Sequence, residues 1–292
     1  MNLKIISPFL SFVFVTGIMT AQSPDPYKPD SGTPETIPGM HLVWHDEFNT
    51  DGRPDSSVWS YETGFVRNKE LQWYQAANAY CKNGLLVIEG RKEKVKSPHY
   101  QEGSEDWRLQ REYADYTSAC IITRGTHQWQ YGRFEIRARI DTSVGAWPAI
   151  WTLGIKRPWP SNGEIDLMEF YRINGVPTIL ANTAWGSDKP HTAKWNSIKT
   201  PLSGFMQNDP DWPKKFHIWR MDWSRDSITL YLDNRLLNTT LLSETLNADG
   251  FNPFQQPHYL LLNLALGANG GEPVTQHLPV RYEVDYVRVY QK

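Results

Sequence analysis

The chain has 292 residues, with 30 Lys and Arg against 32 Asp and Glu and a formal charge of −2. That balance excludes a basic nucleic-acid surface and an electrostatic anchor on an anionic membrane. The length suits one large or two small domains. An aromatic share of 13%, including 13 Trp, promises a packed core and flat apolar faces besides.

Residues 1–21 read as a secretory signal: Lys4 supplies the positive start, and Ile5 to Ala21 is apolar with small residues near its end. This predicts export to the periplasm or beyond, and a mature chain without a membrane span. No Cys stands at the boundary to carry a lipid anchor. Residues 22–38 are Pro-rich and polar and read as a linker. The remaining 39–292 read as one domain.

From Leu42 the chain is a succession of short strands. Asn83-Gly84, between Asn78–Lys82 and Leu85–Arg91, is a strong hairpin signal. Residues 94–113 are polar and read as a surface loop, whose Trp107, Arg108 and Tyr113 either reach a ligand or, as the preferred reading, pin the loop. Thr117–Arg124 and Tyr131–Ile140 follow as strands. Later, Phe216–Asp222 and Ser227–Leu232 alternate apolar and polar residues, His258–Leu266 is apolar with few breaks, and Arg281–Tyr290 closes the pattern. Helix is confined to short pieces, such as one around Ser243–Asp249. This pattern predicts an all-β antiparallel sandwich. Cys81 and Cys120, the two cysteines, are read either as a disulfide of an exported protein or as free, buried thiols on neighbouring strands.

The chemistry concentrates in Gly163-Glu164-Ile165-Asp166-Leu167-Met168-Glu169-Phe170-Tyr171. The apolar residues predict a half-buried strand, where a charge is costly unless compensated. Side chains of a regular strand alternate faces, so Glu164 and Asp166 share a face and Glu169 faces away. A β-bulge around Leu167-Met168 would return Glu169 to the shared face. A retaining glycosidase needs two nearby carboxyls, one nucleophile and one acid/base, and crowded like charges keep one of them protonated. Glu164 is read as nucleophile, Glu169 as acid/base and Asp166 as partner of Glu164. A solvated acidic strand face and a carboxylate Ca²⁺ site are the competing readings.

These residues carry a resemblance. Trp147-Pro148-Ala149-Ile150-Trp151, Trp159-Pro160 and the Glu164–Glu169 motif resemble glycoside hydrolase family 16, in its bulged branch. Leu42–Phe48, Asn68–Tyr74, Tyr131–Glu135 and Val284–Tyr290 are similar to further family segments. The resemblance implies a concanavalin-like β-jelly roll with a concave cleft and an endo-acting β-glycanase needing no catalytic cofactor. The expected partner is a polysaccharide or a glycoprotein glycan, and a monomer is expected. Trp159, Trp147, Trp151, Asn68 and Arg67 are expected to hold the sugar chain, with the core as the other place for the first two Trp after Trp159. Glu47, Gly84 and Asp285 match the family's structural Ca²⁺ site.

One departure bears on the substrate. Many laminarinases carry a His on the strand after the catalytic one; here the stretch is Ile179–Gly186, with Asn182 and Trp185 in place of it. Both are read as substrate contacts, which requires a second kink because they are three residues apart. A loop from Ser187 to Gln207 is expected to border the cleft. The departure inclines the reading toward endo-β-1,4-galactosidases of poly-N-acetyllactosamine or mucin-type O-glycans. An endo-β-1,3- or mixed-linkage glucanase is the alternative, and a non-catalytic carbohydrate-binding jelly roll the reading from another class.

Overall fold

The computed structural model describes residues 24–292, so the signal sequence expected over 1–21 lies outside the described residues. The strands are, in chain order, β1 (His41–Asp46), β2 (Ser60–Tyr61), β3 (Gln72–Tyr74), β4 (Ala79–Lys82), β5 (Leu85–Lys96) and β6 (Tyr113–Ser118). They continue with β7 (Cys120–Ile122), β8 (Gly132–Arg139), β9 (Ala146–Gly154), β10 (Glu164–Ile173), β11 (Val176–Gly186) and β12 (Ala193–Pro201). Last come β13 (His217–Trp223), β14 (Ser227–Leu232), β15 (Arg235–Leu241), β16 (His258–Leu266) and β17 (Val280–Gln291).

The expected antiparallel sandwich is present. One sheet runs β15-β14-β13-β8-β17-β5-β6-β3, with β1 on β17 and β4 on β5. The other runs β12-β11-β10-β9-β16-β7-β2. Among the described residues, only the short β3–β6 pairing is parallel. The two sheets face each other across a core that includes Ile136, Trp219 and Val287 from the first sheet and Ile150, Phe170 and Leu262 from the second. Strand β13 alternates buried and half-buried residues because only one of its faces meets that core. Strand β16 is buried along its whole length. Its outer face carries Leu261 and, with Ala149 and Trp151 of β9 and Tyr74, forms a second apolar cluster on the far side of the sheet.

Local chemistry accounts for the turns. Asn83 and Gly84 both have positive φ, 53° and 74°, as a type I′ hairpin between β4 and β5 requires. The expected strand Thr117–Arg124 is broken at Ala119: β6 stays on one sheet, and β7 crosses to the other and pairs with β16. The two cysteines are free and buried, and no disulfide joins them. The helix expected near Ser243 is a single turn, Leu242–Glu244. The expected loop from Ser187 instead contains edge strand β12, nine residues long, in unbroken register with β11. Trp107 does pin its loop, packing with Phe65 and Trp73.

The segment read as a linker is docked. Arg137 Nη2 donates to the Asp25 carbonyl at 2.7 Å, and its Nη1 donates to the Lys28 carbonyl at 2.9 Å. The amide of Phe216 donates to the Pro26 carbonyl at 2.7 Å. Arg137 also pairs with Asp285 at 2.5 Å, both side chains being 3% exposed or less. Arg137→Ala would strand a buried carboxylate and release the strap. It should cost about 3–5 kcal/mol, read as a fall in the denaturant midpoint with early proteolytic loss of residues near 30.

Candidate active site

The expected bulge is present. Asp166 is opposite Asn182 on β11, and Glu169 is opposite Leu180, so three residues on β10 span two on β11. Against β9, Asp166 faces Trp151 and Met168 faces Ile150, again one residue extra on β10. Leu167 and Met168 are consecutive and both fully buried in the core. Burying each contributes roughly 1.5–3 kcal/mol, and that burial holds the bulge in place. Glu164, Asp166 and Glu169 consequently all face one cleft of about 530 Å³.

Each carboxylate is tied down. Trp159 Nε1 donates to Glu164 Oε2 at 2.8 Å. Trp147 Nε1 donates to Glu169 Oε1 at 3.0 Å. The Asn182 amide donates to Asp166 Oδ2 at 3.1 Å and to Glu169 Oε2 at 3.0 Å. Burial pushes Glu164 up to about 7, while Trp159 and the Arg67 charge pull the other way. Burial, then the Glu164 charge, push Glu169 up to about 7, against hydrogen bonds from Trp147, Asp166 and Asn182. Asp166, 1% exposed, is raised well above the carboxylate range by burial and by the charges of both glutamates. The trio therefore shares protons at neutral pH, and one carboxyl remains an acid.

The expected sugar contacts divide into two groups. Trp147, Trp151, Trp159, Arg67 and Asn68 line the cleft. Trp159 is 44% exposed and presents an open ring face. Trp151 is held edge-on by Asn263 Oδ1 at 2.7 Å, and Arg67 lies 4.9 Å over its ring. Asn68 sits at φ 55°, a left-handed position Asn tolerates, and donates to Glu70 Oε1 at 3.2 Å. Asn182 and Trp185 do not line the cleft. Asn182 is 2% exposed and its amide hydrogens are spent on the carboxylates. Trp185 lies three residues further along a regular strand, so period 2 turns it into the core, where it meets Phe254 edge-on at 6.5 Å. No second kink exists to reverse it.

The calcium expectation is not supported by the side-chain donors. Arg288 donates to both Glu47 oxygens, at 2.9 and 2.8 Å. Asp285 accepts from Arg137 and from the Asp30 amide. The Cβ position at Gly84 lies near Asn49 and Pro29. Guanidinium groups thus already compensate the carboxylates, and no cluster of three His, Cys, Asp or Glu suited to a metal occurs among the described residues.

Sequence reasoning missed Tyr171 and Asn263 as cleft residues; Arg108, from a loop read as able to reach a ligand, and Trp195, from the segment expected to border the cleft, both line it. Asn263 was discoverable, as a lone polar residue in the apolar run of β16. It donates to the Tyr74 hydroxyl at 3.1 Å, which donates to Glu70 Oε2 at 3.3 Å, linking Trp151 to the Asn68 loop. Arg108 reaches the cleft only because its Nε donates to the Val66 carbonyl at 3.1 Å, a contact across 42 residues.

Fold and site together define a β-jelly-roll glycoside hydrolase. The chain belongs to glycosyl hydrolases family 16, whose model matches residues 72–288. A beta-glucanase of Rhodothermus marinus is 37% identical over 88% of this chain and 87% of its own. A keratan-sulfate endo-1,4-beta-galactosidase of Sphingobacterium multivorum is 30% identical over 86% of this chain and 55% of its own. Among solved structures, one from work on endo-acting O-glycanases that human gut microbiota express to initiate mucin breakdown superposes with TM-score 0.80. It is 34% identical and covers 89% of this chain and 94% of that one. The laminarinase catalytic domain of Thermotoga maritima gives 0.71 at 32% identity, covering 87% and 98%.

Raised carboxyls leave a mark on stability. The unfolded Glu169 ionises near 4.5 and the folded one near 7, so its protonation favours the fold below 4.5 and that advantage fades as pH rises through 7. Glu169→Gln removes the penalty. Its melting temperature should exceed the parent's at pH 8, by about 2–4 °C per kcal/mol relieved, and match it at pH 4. Scanning calorimetry at both pH values checks this.

Proposed function

We propose that the protein is a retaining endo-β-glycosidase that cuts internal linkages of poly-N-acetyllactosamine or mucin-type O-glycans. The observation that carries the chemistry is the bulge at Leu167-Met168, which sets two tethered glutamates on either side of a buried aspartate in one cleft. Glu169, as acid, gives its proton to the glycosidic oxygen as the bond from that oxygen to the anomeric carbon breaks. The Glu164 carboxylate forms a bond to the anomeric carbon from the other side. Glu169, now a carboxylate, takes a proton from water; the water oxygen bonds to the anomeric carbon and the bond to Glu164 breaks. Asp166 stabilises the Glu164 carboxylate by hydrogen bonding.

Two observations support the substrate class. The superposition is higher on the O-glycanase structure, 0.80, than on the laminarinase domain, 0.71. The stretch Ile179–Gly186, in which many laminarinases carry a His, has none here and carries Asn182. The 37% identity to a beta-glucanase favours the second reading, a β-1,3- or mixed-linkage glucanase. The expected signal sequence adds that the enzyme works after export.

The mature chain should be incubated in parallel with mucin O-glycans, agar-type galactan, laminarin and mixed-linkage glucan, with products read by chromatography and mass spectrometry. Oligosaccharides with galactose at the reducing end are expected from mucin; gluco-oligosaccharides would replace the proposal by the second reading. Glu164→Gln and Glu169→Gln should each lower kcat by roughly 10³-fold or more with the circular-dichroism spectrum unchanged. The pH dependence of kcat/KM should be bell-shaped about neutrality, activity falling in acid as Glu164 gains a proton and in base as Glu169 loses one.

A further inference from the structure

Asn182 holds the acid/base glutamate, and something must hold Asn182. Its amide nitrogen has two hydrogens, and both are committed: one to Asp166 Oδ2 at 3.1 Å, the other to Glu169 Oε2 at 3.0 Å. A carboxamide rotated by half a turn would fill the same volume with oxygen and nitrogen exchanged. It would then aim an acceptor at two carboxyls and favour their protonated forms. On the neighbouring edge strand, Ser197 stands directly across from Asn182 in the β11–β12 ladder. Its Oγ donates to Asn182 Oδ1 at 2.5 Å. A hydroxyl can donate or accept, so this contact acts together with the carboxylates in setting the orientation. The carboxylates choose it while they are charged, and the serine fixes the oxygen end in place.

We infer that Ser197 is a positioning residue for the reaction: acting through Asn182, its hydroxyl locks the carboxamide so that both N–H groups point at Asp166 and Glu169. The inference rests on the reading of Glu169 as acid/base. It gives strand β12 a part in the chemistry, although β12 carries none of the three carboxylates. It also accounts for Asn182 being buried yet not a sugar contact.

The other groups facing Glu169 leave this role open. On its own strand it sees Glu164, Asp166 and Tyr171, whose hydroxyl is raised by burial and by the Glu169 and Asp166 charges. Strands β9 and β11 contain no ionisable residue, and supply Trp147 and Asn182. Arg67 faces Glu164 from the loop before β3. Lys199 lies in the row of Glu169 and Leu180, but on exposed β12, two strands away, or roughly 9.6 Å. Among the described residues, only Asn182 donates to two members of the trio at once.

The test compares the parent, Ser197→Ala and Ser197→Thr. Freed of its serine, the carboxamide can turn its oxygen toward Glu169, which weakens the carboxylate form. In Ser197→Ala the basic limb of the kcat/KM profile should therefore move up by about half to one pH unit, while KM changes little. Ser197→Thr keeps the hydroxyl and should restore the parent profile. The side-chain carboxyl of Glu169, followed by carbon NMR in the unliganded protein and assigned with Glu169→Gln, should titrate upward by the same amount in Ser197→Ala. An unshifted Glu169 titration in Ser197→Ala overturns the inference, as does a fall in melting temperature or a rise in KM with the profile unmoved. Because the NMR titration needs no turnover, a shift there with no activity on any glycan would instead count against the glycosidase reading and leave the positioning role standing.

Discussion

Three carboxylates share one low-dielectric cleft, and the rest of the structure is arranged around tolerating them. Taking a carboxylate out of water is costly, and two more beside it add repulsion. The fold answers with neutral N–H donors rather than with cations at contact distance. Two indole nitrogens and one carboxamide meet the trio, and a guanidinium acts from further away. A close ion pair would have pulled the carboxyls down into the ordinary range. Neutral donors orient them and leave the pKa values high, and that keeps an acid available near neutrality.

The same residues serve packing and chemistry at once. Strand β10 puts Leu167 and Met168 into the core and thereby turns Glu169 into the cleft. The core's apolar burial thus sustains an irregular backbone that the charged side would resist. Trp151 is fixed from behind by a hydrogen-bonded path through Asn263, Tyr74 and Glu70 to the loop bearing Asn68. The aromatic floor and the rim loop are therefore one mechanical unit. On the opposite sheet, buried Arg137 and Arg288 knit the N-terminal strap to β17 and β8, in the region where calcium was expected.

Some of this was legible in the chain. Period-2 alternation, the Asn83-Gly84 turn and the apolar β16 run located β4, β8, β13, β14, β16 and β17 to within a residue or two, since each rests on local chemistry. The bulge was legible too, because three acids spaced among apolar residues make sense on one face only if a residue is inserted. Trp185 shows where such reasoning fails. Expecting a kink on β11 by analogy with β10 put it in the cleft, whereas the β11–β12 ladder is regular and sends it into the core. The loop expected over 187–207 failed for a related reason: β12 puts Trp195 on one side and Ile198 on the other among Lys, Asn, Ser and Thr, so no alternation marks it as a strand, and its pairing with β11 is invisible without the neighbour.

The sequence by itself determined the all-β class, the carboxylate trio that shares one face and three Trp residues of the cleft, because charge cost, alternation and turn chemistry act over a few neighbouring residues. Only the tertiary structure decided what those residues touch. Asn182 became a carboxylate's partner instead of a sugar's, Ser197 came to stand behind it, Arg108 arrived from a distant loop, and a supposed linker became a strap. Each of these depends on which strands lie side by side and in what register, a matter settled by burial of the whole core rather than by any local stretch of chain.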